Sequence, residues 1–190
     1  VQAHAQAPGA HGHAGALTAA AGPATAPAGC GHHAGVTRTP APDARFGPVS
    51  VWFGERAGKY PDGNQVVVQG RDARIVFDTP PVANRIAPAL AGADLVILGH
   101  VHEDHMAGLH LLPHTPVQVH HADLAAAQSW AGLSRHYGYP APMLAEQKAR
   151  LEANFHYAPR PDASGYDDGA QWDLGGVRVR AIHMPGHTSG

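Results

Sequence analysis

The sequence predicts an α/β domain whose functional residues sit where strands end. Three observations carry this. Short apolar runs of strand length alternate with longer segments of helical spacing. The most uniform run, Leu95-Val96-Ile97-Leu98, suits a strand buried on both faces. The two densest polar clusters, around His100 and His187, each follow directly on a strand candidate.

Taken in order, residues 1–45 differ from the rest. They are mostly Ala, Gly, Pro and His, with one Leu (Leu17) and no Phe, Tyr or Trp. Such a stretch cannot bury enough apolar surface to offset its ordering entropy, so a disordered tail is expected. Cys30, His32 and His33 lack a fourth ligand at fixed spacing and are read as part of that tail. Residues 46–190 form the expected domain. Val49–Phe53 reads as a strand, and Lys59 to Asn64 carries the Pro, Asp and Gly of a tight loop. Gln65–Gln69 and Arg74–Phe77 make a hairpin pattern ending at Asp78.

Beyond Pro80-Pro81, the spacing of Val82, Ile86 and Leu90 predicts a helix, with Pro88 counting against its second half. Leu95–Leu98 is the buried strand, and Pro116–Val119 is another. Helices are expected over Ala122–Tyr137 and from about Pro142, the latter with Leu144, Leu151 and Phe155 on one face and a Glu146–Arg150 pair. Val177–Ile182 alternates as a half-exposed strand that delivers His183 and His187 to its end.

Composition bounds the function. With 190 residues and 44% hydrophobic content, the chain can build one core. A net charge of −2 gives no basic face for nucleic acid or an anionic membrane. No apolar run reaches the roughly 20 residues of a membrane span. One cysteine excludes an intrachain disulfide, and the N-terminus lacks a signal-peptide pattern, so a cytoplasmic protein is the default expectation. The expected partner is a small-molecule substrate; oligomeric state is not legible.

With 16 histidines in the chain, spacing and company decide which of them count. His100-Val101-His102-Glu103-Asp104-His105 places two imidazoles at i and i+2 of an extended exit, on one side, able to grip one cation. Asp104 and His105, on the turn that follows, can face a second position nearby. Pro185-Gly186 makes a turn that aims His187, a natural third ligand beside His100 and His102. His183 is expected to have a packing or outer role, and Glu103 to be solvent-facing or to support the ligands from outside.

The segment from about Val49 to Gly190 resembles the metallo-β-lactamase superfamily. The HxHxDH signature matches at His100, His102, Asp104 and His105, and the Pro-Gly-His-Thr loop matches around His187. Asp78, after its apolar run, looks like the family's Asp that supports the metal loop; Asn64 is read as a turn residue. The resemblance implies an αββα sandwich holding one or two metal ions, usually zinc, with iron or manganese as alternatives. It also implies a hydrolase in which a metal-activated hydroxide attacks an ester, thioester, lactone or amide, with Asp104 as the catalytic carboxylate. Glyoxalase II-like thioesterases, lactonases and β-lactamases share these ligands. Two other readings are open: an iron-dependent oxidoreductase like the persulfide dioxygenases, and a non-catalytic metal-binding fragment.

The family usually supplies a bridging carboxylate and a further His downstream of the Pro-Gly-His loop, whereas this sequence ends three residues after His187. The expectation is therefore the N-terminal portion of the sandwich, cut at its C-terminal side and without turnover in isolation.

Overall fold

Val96 and Ile97 point to opposite faces of their strand and are both fully buried, so the sheet that holds them must be covered on both sides. The computed structural model describes residues 2–4 and 39–190. The strands among these described residues are Gln2–His4 (β1), Ala44–Phe46 (β2), Val49–Trp52 (β3), Gln65–Gln69 (β4), Arg74–Phe77 (β5), Leu95–Ile97 (β6), Val117–His120 (β7), Ser164–Tyr166 (β8), Gln171–Asp173 (β9) and Arg178–Arg180 (β10). The first large sheet runs β2-β3-β4-β5-β6-β7-β8; a smaller one runs β1-β10-β9. β2 to β5 pair antiparallel, and β5 to β8 pair parallel.

Alternation along these strands sorts the core into two clusters. Val67, Val76, Val96, Leu98, Val117 and Val119 face the helices, against Leu133, Leu151 and Phe155. Val68, Ile75 and Ile97 face the small sheet, against Leu174 and Val179. Helices, large sheet and small sheet make three layers of the expected sandwich among the described residues. In the parallel part, Phe77 lies opposite Ile97 and Ile97 opposite Gln118. That register brings the segments after β5, β6 and β7 out at one edge, which is where the site forms.

The helical layer comprises Glu55–Gly58 (α1), Val82–Arg85 (α2), Glu103–Met106 (α3), Leu124–Gln128 (α4), Trp130–Tyr137 (α5) and Ala141–Phe155 (α6). Several predicted elements are corrected here. The helix expected over Val82–Leu90 breaks at Ile86 (φ −118°, ψ 19°) into α2 and a 3-10 turn, Ala87–Leu90, with Pro88 in its first turn. Proline cannot donate the backbone bond that a continuous helix would need.

The helix expected over Ala122–Tyr137 divides at Ser129, which is extended (φ −155°) and accepts the Gly132 N–H at 3.0 Å as the cap of α5. Gly132 permits the corner: a Cβ there would lie 1.8 Å from the Ala125 carbonyl oxygen. On α6 the salt bridge is Lys148–Glu152 at 2.7 Å, while Arg150 turns to Gln147 and Glu103 rather than to Glu146.

Strands β8 and β9 carry no apolar alternation and were not expected; they form because β7 and β10 offer open edges. The boundary at residue 45 falls inside β2. Pro40 already accepts the Trp52 indole N–H at 3.2 Å, and Asp43 the Phe53 N–H at 2.7 Å. Residues on both sides of that boundary thus pack against β3, and Gln2–His4 pairs with β10. The disorder expected for the intervening tail, with Cys30, His32 and His33, concerns residues outside those described. Among the described residues no helix is long and apolar enough to cross a membrane.

Candidate metal centre

β6 ends at Ile97, and the chain passes through Leu98 and Gly99 into His100. Gly99 donates its N–H to Asp78 Oδ1 at 2.7 Å, tying the exit of β6 to the exit of β5. Asp78 itself sits at φ +52°, in the left-handed region that Asp tolerates better than most residues. The carboxylate's other oxygen lies 3.0 Å from His105 Nδ1, close but poorly aligned for a hydrogen bond. The His105 carbonyl then accepts Thr79 N–H at 2.8 Å. Asp78 thereby fixes the entry to the His100–His105 turn, and its neighbour Thr79 fixes the exit.

His102 is extended (φ −120°) and opens α3, two residues after His100 in the bend that leaves β6. His187 joins them from the far end of the chain. Ring centroids are 4.9 Å apart for His100–His102, 4.9 Å for His100–His187 and 4.7 Å for His102–His187. One nitrogen from each of the three rings lies within 4.8 Å of the other two. His102 Nδ1 and His187 Nε2 approach to 3.0 Å. Asp104 and His105 adjoin this group: the His105 ring is 3.9 Å from that of His100, and Asp104 Oδ2 is 3.7 Å from His105 Nε2.

The loop bearing His187 is held by more than its own turn. Gly186 (φ +143°) donates its N–H to the Thr188 carbonyl at 2.9 Å. Gly190 N–H reaches Asp123 Oδ1 at 3.1 Å, and Asp123 is fully buried. No sequence signal pointed to Asp123, because its partner is a backbone group 67 residues away. Gln65 was also missed. It is fully buried and donates to the carbonyls of Phe77 and Asp78 at 3.0 Å each, fixing the strand end that carries Asp78. His183 stands apart from the triad, stacked on His120 at 4.0 Å. Asn64 accepts the Gly54 N–H at 3.0 Å and serves the loop it sits in.

Glu103 is not solvent-facing. It is buried and accepts hydrogen bonds from Tyr137 Oη at 2.6 Å and Tyr60 Oη at 3.2 Å.

The donor set could hold a metal ion. Burial, followed by neighbouring imidazoles, pushes the His100 pKa down to about 4. Burial and then His187 lower that of His102. Both rings are therefore neutral near pH 7, as imidazole ligands must be, and a protonated trio at this spacing would repel itself. Burial also lowers His105, but Asp78 and then Asp104 outweigh it and raise its pKa. Asp104 is raised by burial against the pull of His105.

Three solved structures superpose on this fold. MEM-A1, a subclass B3 metallo-β-lactamase from a soil metagenome library, superposes with a TM-score of 0.55 at 20% identity, over 80% of this chain and 55% of that one. FEZ-1 from Legionella gormanii gives 0.55 at 20% identity, over 80% and 57%. ST1585, a superfamily protein from Sulfolobus tokodaii, gives 0.52 at 19% identity, over 74% and 57%. This is the metallo-β-lactamase fold.

In sequence, the hydroxyacylglutathione hydrolase of Aeromonas salmonicida is 32% identical over 115 residues, 60% of this chain and 33% of that protein. No protein-family profile matches. The chain spans a third of the curated relative's length and just over half of the solved metallo-β-lactamase-fold chains named here.

The lowered His100 pKa has a consequence for the metal-free metallo-β-lactamase-fold domain. Between about 4 and the ordinary 6.5, the unfolded chain binds a proton at His100 that the folded state refuses. Stability therefore rises with pH across that window and is lost on acidification. His102 acts in the same direction. His105 opposes it, its contribution being present below 6.5 and lost as pH rises through its raised value. Thermal melts without metal should show Tm falling as pH drops below about 6.5. His100→Gln should flatten that slope; an unchanged slope would contradict the assignment.

Proposed function

We propose that this domain is the metal-binding part of a zinc-dependent hydrolase that cleaves an ester, thioester, lactone or amide. The convergence of His100, His102 and His187 carries the proposal. In this reading the three imidazoles hold one cation, while Asp104 and His105 face a second position. When bound, the metal supplies an acidified water and positive charge opposite the developing oxyanion.

The chain's own residues do the rest. Asp78 holds the Leu98–Gly99 peptide, just before His100, and lies beside the His105 ring. Asp104, whose carboxyl holds a proton more readily than usual, orients the attacking water, takes its proton on Oδ and returns it to the leaving group. The carboxylate beside imidazole ligands favours zinc over softer metals.

The sequence relative is a hydroxyacylglutathione hydrolase, so acylglutathiones head the panel of substrates to test. The protein expressed from its natural reading frame is loaded with zinc and assayed on an acylglutathione, a lactone, a simple ester and a β-lactam. Turnover of one class, abolished by chelation and restored by zinc, is the expected result. A protein that binds one iron and consumes oxygen, or one with zinc and no turnover on any class, would overturn the reading.

A further inference from the structure

Glu103 is the motif residue for which metal binding has no use, yet its carboxylate is the buried charge of the motif, with a side chain 8% exposed. An unpaired carboxylate is costly to bury, so such a group persists where it is paired. Its partners come from three separate elements. Tyr60, on the loop between β3 and β4, donates to Oε1 at 3.2 Å. Tyr137, on the last turn of α5, donates to Oε2 at 2.6 Å. Arg150, on α6, places Nη2 3.5 Å from Oε1. The same Tyr137 ring is stacked on His102, 6.2 Å between centroids at 26°. One side chain thus grips the carboxylate and backs the neighbouring imidazole.

We propose that Glu103 is a positioning residue for the metal site, clamping the turn between His102 and Asp104 against α5, α6 and the β3–β4 loop. The proposal rests on the metal-binding reading above. Glu103 is one peptide bond from each of two proposed ligands, so a shift of its backbone moves both. Ligand geometry tolerates displacements of only about 0.5 Å. His102, at the start of the short helix α3, makes no side-chain cap hydrogen bond to that helix. The Glu103 cluster supplies that restraint from outside the helix.

Zinc affinity is the readout, measured by competition with a chromophoric chelator at a temperature where each variant keeps the wild-type circular dichroism. Glu103→Ala is expected to bind zinc roughly tenfold more weakly, in the range for lost groups that orient ligands. Glu103→Gln, which keeps the volume and an acceptor oxygen, should recover part of the loss, and Tyr137→Phe should fall between wild type and Glu103→Ala. A purely structural role lowers the metal-free melting temperature but leaves zinc affinity of the folded protein unchanged. That result overturns the proposal. If Glu103→Ala does not fold, Glu103→Gln and Tyr137→Phe decide, and wild-type affinity in both overturns it. A wild-type protein that takes up no zinc removes the metal reading itself, which is a different failure from a zinc-binding wild type matched by its Glu103 variants.

Discussion

Replacing His187 with alanine is expected to weaken zinc binding by about 100-fold or more while leaving the domain folded. Zinc held by four protein ligands is worth roughly 10–16 kcal/mol, or about 3 kcal/mol per ligand, and each 1.4 kcal/mol is tenfold in affinity. His187 is exposed and lies on a loop after the last strand, so its side chain contributes little to the core. Its rings-to-centre geometry with His100 and His102 is what the substitution removes. Equilibrium dialysis against buffered zinc measures the effect. His183→Ala is the control, because that ring stacks on His120 outside the triad, and its zinc affinity should stay close to wild type. A His187→Ala protein with wild-type affinity would dismantle the site, since two imidazoles leaving one strand end would then be doing all the binding.

Leu98→Ala should destabilise the fold by about 2–5 kcal/mol. Leu98 has no exposed surface, belongs to the core cluster facing the helices, and sits two residues before His100. Its N–H continues the parallel ladder by donating to Gln118 at 2.8 Å. The void left by three carbons would lie directly under the strand exit from which the His100–His105 turn departs. For a chain of this size, each kcal/mol corresponds to roughly 2–4 °C in Tm, so a drop of about 10 °C is expected in thermal melts. Ile182→Ala, at a side chain 47% exposed, should leave Tm almost unchanged. A Leu98→Ala protein as stable as wild type would mean that the packing under the site is looser than the burial of this residue implies.

Legibility differed by element, and the reason is physical. β4, β5 and β6 were readable because each carries an apolar run, Val66-Val67-Val68, Ile75-Val76-Phe77 and Leu95-Val96-Ile97, with neighbouring side chains buried on opposite faces. β8 and β9 were not. Ser164-Gly165-Tyr166 has no pattern of its own, and its glycine lies against the His121 ring, which a Cβ would approach to 2.0 Å and push aside. The break at Ser129 was hidden for the same reason: the corner between α4 and α5 depends on how Gly132 meets Ala125 across space.

At the site, His100, His102, Asp104, His105 and His187 were all named from spacing, because extended backbone and a Pro-Gly turn set side-chain direction locally. Asp78 was reached through the family resemblance. For Glu103 two readings were open, facing solvent or supporting the ligands from outside, and its burial removes the first. Nothing in a short polar stretch says that two tyrosines and an arginine from other elements will close over it.

The sequence by itself determined which residues could bind a metal and which strands would carry them, since ligand chemistry and apolar periodicity are properties of neighbouring residues. Tertiary structure alone decided that His187 meets His100 and His102, that Asp123 seats its loop, and that a charge within the motif faces inward. Those outcomes depend on which distant groups pair across the core, where an unpaired polar atom is costly enough to choose the arrangement.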